Sequence, residues 1–457
     1  MKYPAYPKYR SSGVEWLGYV PEHWSAVETR FAYSVQLGKM LQPEPGSAED
    51  TLVPYLKALH VQWETVQVED LPTMWASKRD ARNYVLSDGD LLVCEGGEVG
   101  RSGILRSSPP NAIMQNALHR VRPKNGNDLR FLMYTMRTAS AHGWFDILCN
   151  RSTIAHFTGD KFGALKIGLP SPAEQQAIAD FLDAQTGRID TLVGKKRELV
   201  EKLNEKRTAL ISRTVTRGLP PDAARAAGLD PSPPLRPSGI EWLGNIPECW
   251  EVMRLGYVVG KVGSGKTPKG GAETYQEEGV MLLRSQNVHD NGLRLDDVAF
   301  IDEAMDDQMA VSRVQAGDVL LNITGASLGR CTHVPDGFPP ANVNQHVCII
   351  RPERLKMHPR FLQHVISSLY IQSQIFSYEN GSSREGLNFQ QIRNLLVAVP
   401  RALDEQSAVA DYLDCETSTI DRMVEKVEAA IERLQEYRTA LITAAVTGKI
   451  DVREVAV

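Results

Sequence analysis

The thirteen residues "SGVEWLGYVPEHW" at 12–24 return as "SGIEWLGNIPECW" at 238–250, with Trp16, Leu17, Gly18, Pro21, Glu22 and Trp24 answered by Trp242, Leu243, Gly244, Pro247, Glu248 and Trp250. An internal repeat constrains a fold more than any short motif. Further blocks recur in the same order at a nearly constant offset. "DGDLLVCEGGEVGR" (88–101) matches "AGDVLLNITGASLGR" (316–330), and "LPSPAEQQAIADFLDAQTGRID" (169–190) matches "VPRALDEQSAVADYLDCETSTID" (399–421). "RTALI" occurs at 207 and again at 438. The chain is therefore one architecture written twice: a short aromatic segment, a variable globular region, then a long helix. The stretches between the anchors have diverged strongly, as expected of one frame that carries two different surfaces.

The spacing divides the 457 residues into an aromatic segment (1–24), a first globular region (25–170), a long helix (171–217), a linker with the repeated aromatic segment (218–250), a second globular region (251–400), a second long helix (401–448) and a tail (449–457). In the first helix Leu182, Ile189, Leu192, Leu199, Leu203 and Leu210 fall on a 4-3 alternation. In the second the alternation runs through Leu413, Ile420, Met423, Val427, Leu434, Tyr437 and Leu441. Such alternation is a coiled-coil seam, and some 40 residues at about 1.5 Å each make a rod of roughly 60 Å. Pro172 suits the first turn of one helix and Asp404 the N-cap of the other. Connection lengths favour an antiparallel pair, which gives a dumbbell with approximate two-fold symmetry. Short apolar runs such as "DLLVC" and "HVCII", broken by Gly, Asn and Pro, predict α/β (α+β) heads with short strands and long polar loops.

"GKVGSGKT" at 260–267 matches the phosphate-loop pattern letter for letter, but such a loop works at the start of a helix. Here Pro268, Gly270 and Gly271 follow, which oppose a helix. The counterpart "SVQLGKMLQPEP" keeps only Gly38 and Lys39. A phosphate-loop ATPase is thus the weaker reading, as is a scaffold that does not read DNA. Scattered cysteines, lacking any zinc-ligand spacing, predict free thiols and no metal. No run of about 18 apolar residues is present, and no secretory leader opens the chain, which points to a cytoplasmic protein with no membrane partner. No nucleophile, zinc or methyltransferase motif marks a catalytic centre, and His60, His119, His289 and His346 each stand alone.

What the globular regions offer is Arg, Lys, Asn, Gln, His and Ser in Gly-rich loops, the side chains that contact phosphates and base edges. In the first these are Lys39, Lys57, His60, Gln62, Lys78, Arg79, Arg82, Arg101, Asn150, Arg151 and Ser152. In the second they are Lys266, Lys269, Arg284, Gln286, Asn287, His289, Arg330, Asn380, Ser382, Ser383 and Arg384. The net charge of −5 is unusual for a nucleic-acid protein, so a basic face must be local. Paired readers are normally spaced by a DNA turn, about 34 Å, within reach of the rod.

The paired "SG[VI]EWLG..PE.W", "GD.L", "G....GR" and "P...EQ..[IV]AD[FY]LD" blocks, with the terminal "AVTGKID", resemble the specificity subunits of Type I restriction-modification systems along essentially the whole length. The resemblance implies two target-recognition domains reading a split, asymmetric sequence in double-stranded DNA, held apart by two antiparallel helices. It implies docking of two modification subunits, which hold S-adenosylmethionine and methylate adenine, and of motor-nuclease restriction subunits where these exist. The chain itself is then non-catalytic and holds no cofactor.

Overall fold

The computed structural model describes residues 3–149, 156–268, 271–378 and 386–455. The chain forms two compact units, Met1–Lys195 with Ala430–Val457, and Lys196–Ala429. The boundaries fall inside the long helices Pro172–Arg217 and Leu403–Val446, so each unit owns one end of each helix.

In the first unit a hairpin, Tyr9–Ser11 with Tyr19–Pro21, leads to strand Ser25–Glu28, which pairs antiparallel with Lys166–Leu169 just before the first long helix. Between these lies a five-stranded sheet in the order Tyr33–Leu37, Leu118–Pro123, Leu91–Cys94, Ser102–Ile104, Glu64–Thr65. A three-stranded sheet places Thr51–Leu56 between Ile113–Met114 (parallel) and Thr73–Ala76 (antiparallel).

The second unit repeats this plan with a main sheet of four strands. Leu235–Pro237 pairs with Asn245–Pro247, and Trp250–Arg254 with Leu396–Pro400. Its main sheet runs Val259–Ser264, Val347–Pro352, Val319–Asn322, Cys331–His333. Its small sheet sets Val280–Leu283 between Ala341–Val343 (parallel) and Ala299–Ile301. The "DLLV" and "DVLLN" runs are buried strands at the centre of their sheets, and for that reason they lack polar alternation.

In the first unit, Phe181, Leu182, Ile189 and Val193 of the first long helix share a core with Leu441, Ile442 and Val446 of the second. In the second unit, Ile211 and Val215 share a core with Val409 and Leu413. Asp190 pairs with Arg438, and Asp421 with Arg207. In both pairs an earlier residue of one helix meets a later residue of the other, the register of antiparallel helices. One expectation about the seam is corrected. Leu192, Leu199, Met423 and Tyr437 are 43–48% exposed, whereas Val193 is buried and Val200 and Val424 are half-buried. The side chains turned inward lie one position later than the predicted leucines, because Arg207 and Arg438 occupy seam positions and bind across them. Leu203, Leu210, Val427 and Leu434 are half-buried, while Leu182, Ile189, Leu413, Ile420 and Leu441 are buried. Asp404 lies within the first turn, not at the N-cap, since the helix already includes Leu403. Pro172 opens its helix, and the Ser171 hydroxyl accepts the Glu174 N–H at 3.3 Å.

Candidate nucleic-acid interface

The residues kept in both copies build a frame. Trp24 and Trp250 are fully buried, and each indole Nε1 donates to the first acidic residue of the "EQ" pair: Trp24 to Glu174 at 3.0 Å, Trp250 to Glu405 at 2.7 Å. A buried indole N–H needs such a partner. The following glutamine stitches three chain segments. Gln175 accepts the Asp128 N–H (2.9 Å) and donates to the Pro170 carbonyl (2.9 Å). Gln406 accepts the His358 N–H (2.8 Å) and donates to Pro400 (2.9 Å). Next, the aspartates of "AD[FY]LD" grip an arginine from the recognition domain. Arg130 donates to Asp180 and Asp183 at 2.7 and 2.8 Å, and Arg360 to Asp411 and Asp414 at 2.6 and 2.7 Å. Beside these arginines, Tyr134 donates to Asp183 in one unit, and His364 meets Asp414 at 2.7 Å in the other. Burial opposes the charge of Asp414, but His364 and Arg360 outweigh it and hold the carboxyl below the usual range.

The "GD.L" aspartates are a second staple. Asp90 takes Arg122 bidentately at 2.6 and 2.9 Å, and Asp318 takes Arg351 at 2.6 and 2.8 Å. Both aspartates are buried, and each also accepts a backbone N–H three residues upstream, from Ser87 and Gln315.

These staples hold Arg122, Arg130, Arg351 and Arg360 in ion pairs within the chain. Several predicted DNA contacts likewise do structural work. Lys57–His60 and Arg284–Asn287 are equivalent turns. The Lys57 N–H donates to His60 Nδ1 at 3.1 Å, and the Arg284 N–H to Asn287 Oδ1 at 2.9 Å. His60 and Asn287 are buried and close their turns, and burial followed by the Lys57 charge pushes the His60 pKa down. Arg101 is held by Glu98 and the Ala58 carbonyl, both at 3.0 Å. Lys39 is largely enclosed and pairs with Asp80 at 3.1 Å. Arg284 lies over Tyr275 and donates to the Asp297 carbonyl at 2.7 Å. His60, Asn287, Lys39, Arg101 and Arg284 thus each have at least one intramolecular partner, while among the described residues the Nε atoms of Arg101 and Arg284 are buried without one.

The remainder sit on or near the surface. Gln62 donates to Leu59, Gln286 pairs with Asp297, and His289 bonds the Gln286 carbonyl at 3.0 Å. Lys78 is exposed, 3.5 Å from Glu49. Among the described residues, Arg79, Arg82, Lys266 and Arg330 are exposed cations with no ion-pair partner. Arg79 and Arg82 lie on the short helix Lys78–Asn83, Lys266 follows strand Val259–Ser264, and Arg330 precedes strand Cys331–His333. Asn150, Arg151, Ser152, Lys269, Asn380, Ser382, Ser383 and Arg384 lie outside the described residues.

The phosphate-loop letters have a packing explanation. After Ser264 the next helical element is the single 3-10 turn Gly271–Thr274. A Cβ at Gly265 would meet the Val343 carbonyl at 1.5 Å, and one at Gly38 would meet that of Gln115 at 2.2 Å. Both glycines permit the same close crossing of backbone. Among the described residues no group of three or more His, Cys, Asp or Glu side chains is placed to hold a metal, and all six cysteines are unbridged. Among the described residues no helix is long and apolar enough to cross a membrane.

The frame residues Glu174, Gln175, Arg130 and their counterparts were not singled out from sequence. The signal was available, since Glu, Gln and both Asp recur in register within the repeated helix starts.

Comparison with known proteins bears on these features directly. Residues 75–202 and 247–433 match the family described as Type I restriction modification DNA specificity domain, more than half of the chain. The MjaVIII specificity subunit of a type I restriction enzyme from Methanocaldococcus jannaschii is 23% identical over 444 residues, 95% of this chain and 94% of that protein. The EcoBI specificity subunit from Escherichia coli is 24% identical over 311 residues, 65% of this chain and 61% of that protein. A solved structure described as the basis of complex assembly and conformational transition of a type I R-M system superposes with a TM-score of 0.66. It is 14% identical and covers 94% of this chain and 99% of that one.

Proposed function

Because the chain belongs to the Type I restriction modification DNA specificity family, we propose that its two recognition domains each read one part of a split, asymmetric sequence in double-stranded DNA. The chain is the DNA-recognition subunit of a restriction-modification system and is not itself an enzyme. The observation that carries the two-part reading is the contrast between frame and surface. Trp–Glu, Gln–backbone and Arg–Asp contacts are made twice between the same residue types. The exposed cations differ: Arg79 and Arg82 on a helix in one domain, Lys266 and Arg330 flanking strands in the other. Two domains held alike but faced differently suit two unlike half-sites.

The partners in this reading are two methylating subunits, which supply S-adenosylmethionine and the transfer to adenine, and motor-nuclease subunits where the system restricts. With a net charge of −5, the chain supplies orientation and base discrimination, and the partners supply much of the phosphate grip. Since DNA is the target, the complex works in the cytoplasm. Selection of randomised duplexes by the complex of this chain with its methylating subunits tests the proposal. Enrichment of two separated blocks with an unselected gap is the expected result, and enrichment of one continuous block or of none refutes it.

A further inference from the structure

The first unit contains a junction that the shared frame does not explain. Just after the turn closed by His60, Glu64 adopts φ 71°, a left-handed backbone that a residue with a Cβ disfavours. Its carboxylate receives the Arg438 guanidinium through both oxygens, at 2.8 and 2.6 Å. Arg438 lies near the end of the second long helix and also binds Asp190 of the first, at 2.9 and 3.1 Å. Both partners are largely enclosed, with 11% of the Arg438 and 16% of the Glu64 side chain exposed. Arg137 of the recognition domain lies 3.5 Å from Glu64 and over the Trp63 ring. Trp63 in turn donates to Glu98 at 2.6 Å, and Glu98 holds Arg101, which binds the Ala58 carbonyl inside the Lys57–His60 turn. One carboxylate thus ties that turn to both long helices.

The second unit keeps only half of this arrangement. Arg207, the counterpart of Arg438, binds Asp421 at 3.0 Å, as Arg438 binds Asp190. Among the described residues, its hydrogen bond to the recognition domain goes to the backbone carbonyl of Asp290, at 3.1 Å. Asn291 stands where the first unit has Glu64, and the nearby cleft is lined by Arg207, Asp290, Asn291 and His333. The helix-to-helix arginine is present twice, the domain-side carboxylate once. A domain of this fold therefore packs without the carboxylate, and Glu64 is held in an unfavourable backbone conformation for some other gain.

We infer that Glu64 is a positioning residue, clamping the reading surface of the first domain against both long helices so that the complex discriminates the length of the unread gap between half-sites. The inference rests on the split-site reading above. One extra base pair advances DNA by about 3.4 Å and turns it by a tenth of a helical repeat, roughly 35°. A domain hinged at this junction absorbs such a change, and a clamped one resists it.

The test uses the complete complex with its methylating subunits. Methylation rates are measured on duplexes carrying both half-sites at the natural gap and at gaps one base pair shorter and longer. Glu64→Gln keeps the side-chain shape without the charge, and Glu64→Gly relieves the left-handed backbone, which offsets part of the stability lost with the Arg438 pair. Both variants are expected to retain the half-site sequence preference and the rate on the natural gap. Their preference for that gap over the altered ones falls about tenfold, the equivalent of about 1.4 kcal/mol. An unchanged gap preference in both variants overturns the clamp. If the parent complex shows no gap preference while still requiring both half-sites, the clamp again fails; if it requires no split site at all, the functional reading fails with it.

Discussion

The two aromatic segments share their letters but not their surroundings. Trp16 is 9% exposed and donates to the Lys166 carbonyl at 3.2 Å, whereas Trp242 is 46% exposed and stacks on Tyr370 with ring centroids 5.9 Å apart. In the first unit the N-terminal residues and the C-terminal tail meet, with the Asp451 N–H on the Pro4 carbonyl at 2.7 Å and Arg453 over Tyr6. In the second unit the linker takes that place, and Trp242 borders an open groove of about 720 Å³ with Pro220, Pro221, Pro231 and Pro233. Trp24 and Trp250 share full burial and the indole–carboxylate bond, although Tyr6 packs edge-on against Trp24. A repeated motif fixes contacts that lie within the repeat, and contacts to its chain neighbours are free to diverge.

The sharpest way to break this comparison is to truncate the tryptophans. Trp24→Ala and Trp250→Ala are each expected to cost about 3–5 kcal/mol, since each empties a full indole and strips a partner from Glu174 or Glu405. Trp16→Ala is expected to cost about 2–4 kcal/mol and Trp242→Ala under about 1 kcal/mol, because the latter is already half in water. Urea denaturation of the purified chain checks the order, and equal costs for Trp16 and Trp242 would erase the distinction between the segments.

Much of this was legible in the sequence because it is local and doubled. The long helices follow from period and repeat, the antiparallel pair from connection lengths, and the strand status of "DLLV" from its short apolar run. The seam centre was not legible: Leu192 and Leu199 satisfy the alternation, yet Arg207 and Arg438 bind across the interface and shift the inward face to Val193 and Val200. The candidate site was legible only in composition. Whether His60 or Asn287 faces DNA or closes a turn depends on a backbone N–H three residues away, which letter type does not encode.

The buried staples sharpen the comparison at a smaller scale. Asp318→Asn should cost about 2–3 kcal/mol and Asp90→Asn somewhat less, the lower part of the range for breaking a buried pair because the arginines keep some solvent contact. Arg351 is 27% exposed and Arg122 41%, which sets the order. A reversed order in denaturation midpoints would contradict the burial argument.

Acid separates the units further. The Asp414 carboxyl is depressed in the folded chain, so its contribution is full above the ordinary aspartate pKa of about 3.9 and is lost as pH falls through the lower folded value. Asp414→Asn should flatten the acid limb of the stability profile below about pH 4; an unaltered limb would mean that the His364 and Arg360 contacts do not hold the carboxyl in solution. The smallest expected effect belongs to the exposed cations. Each of Arg79→Ala, Arg82→Ala, Lys266→Ala and Arg330→Ala should weaken DNA binding by the complex a few-fold, and loss of one phosphate contact lowers the salt slope by about 0.9. Binding titrations at several salt concentrations check this, and unchanged slopes would place the DNA elsewhere on the domains.

The most direct test of the two-reader account exchanges residues 25–170 for the corresponding region of another specificity subunit and sequences methylated adenines in cells that carry the methylating subunits. The account predicts that one block of the split motif changes while the other block is retained. A motif that changes in both blocks, or in neither, would contradict it.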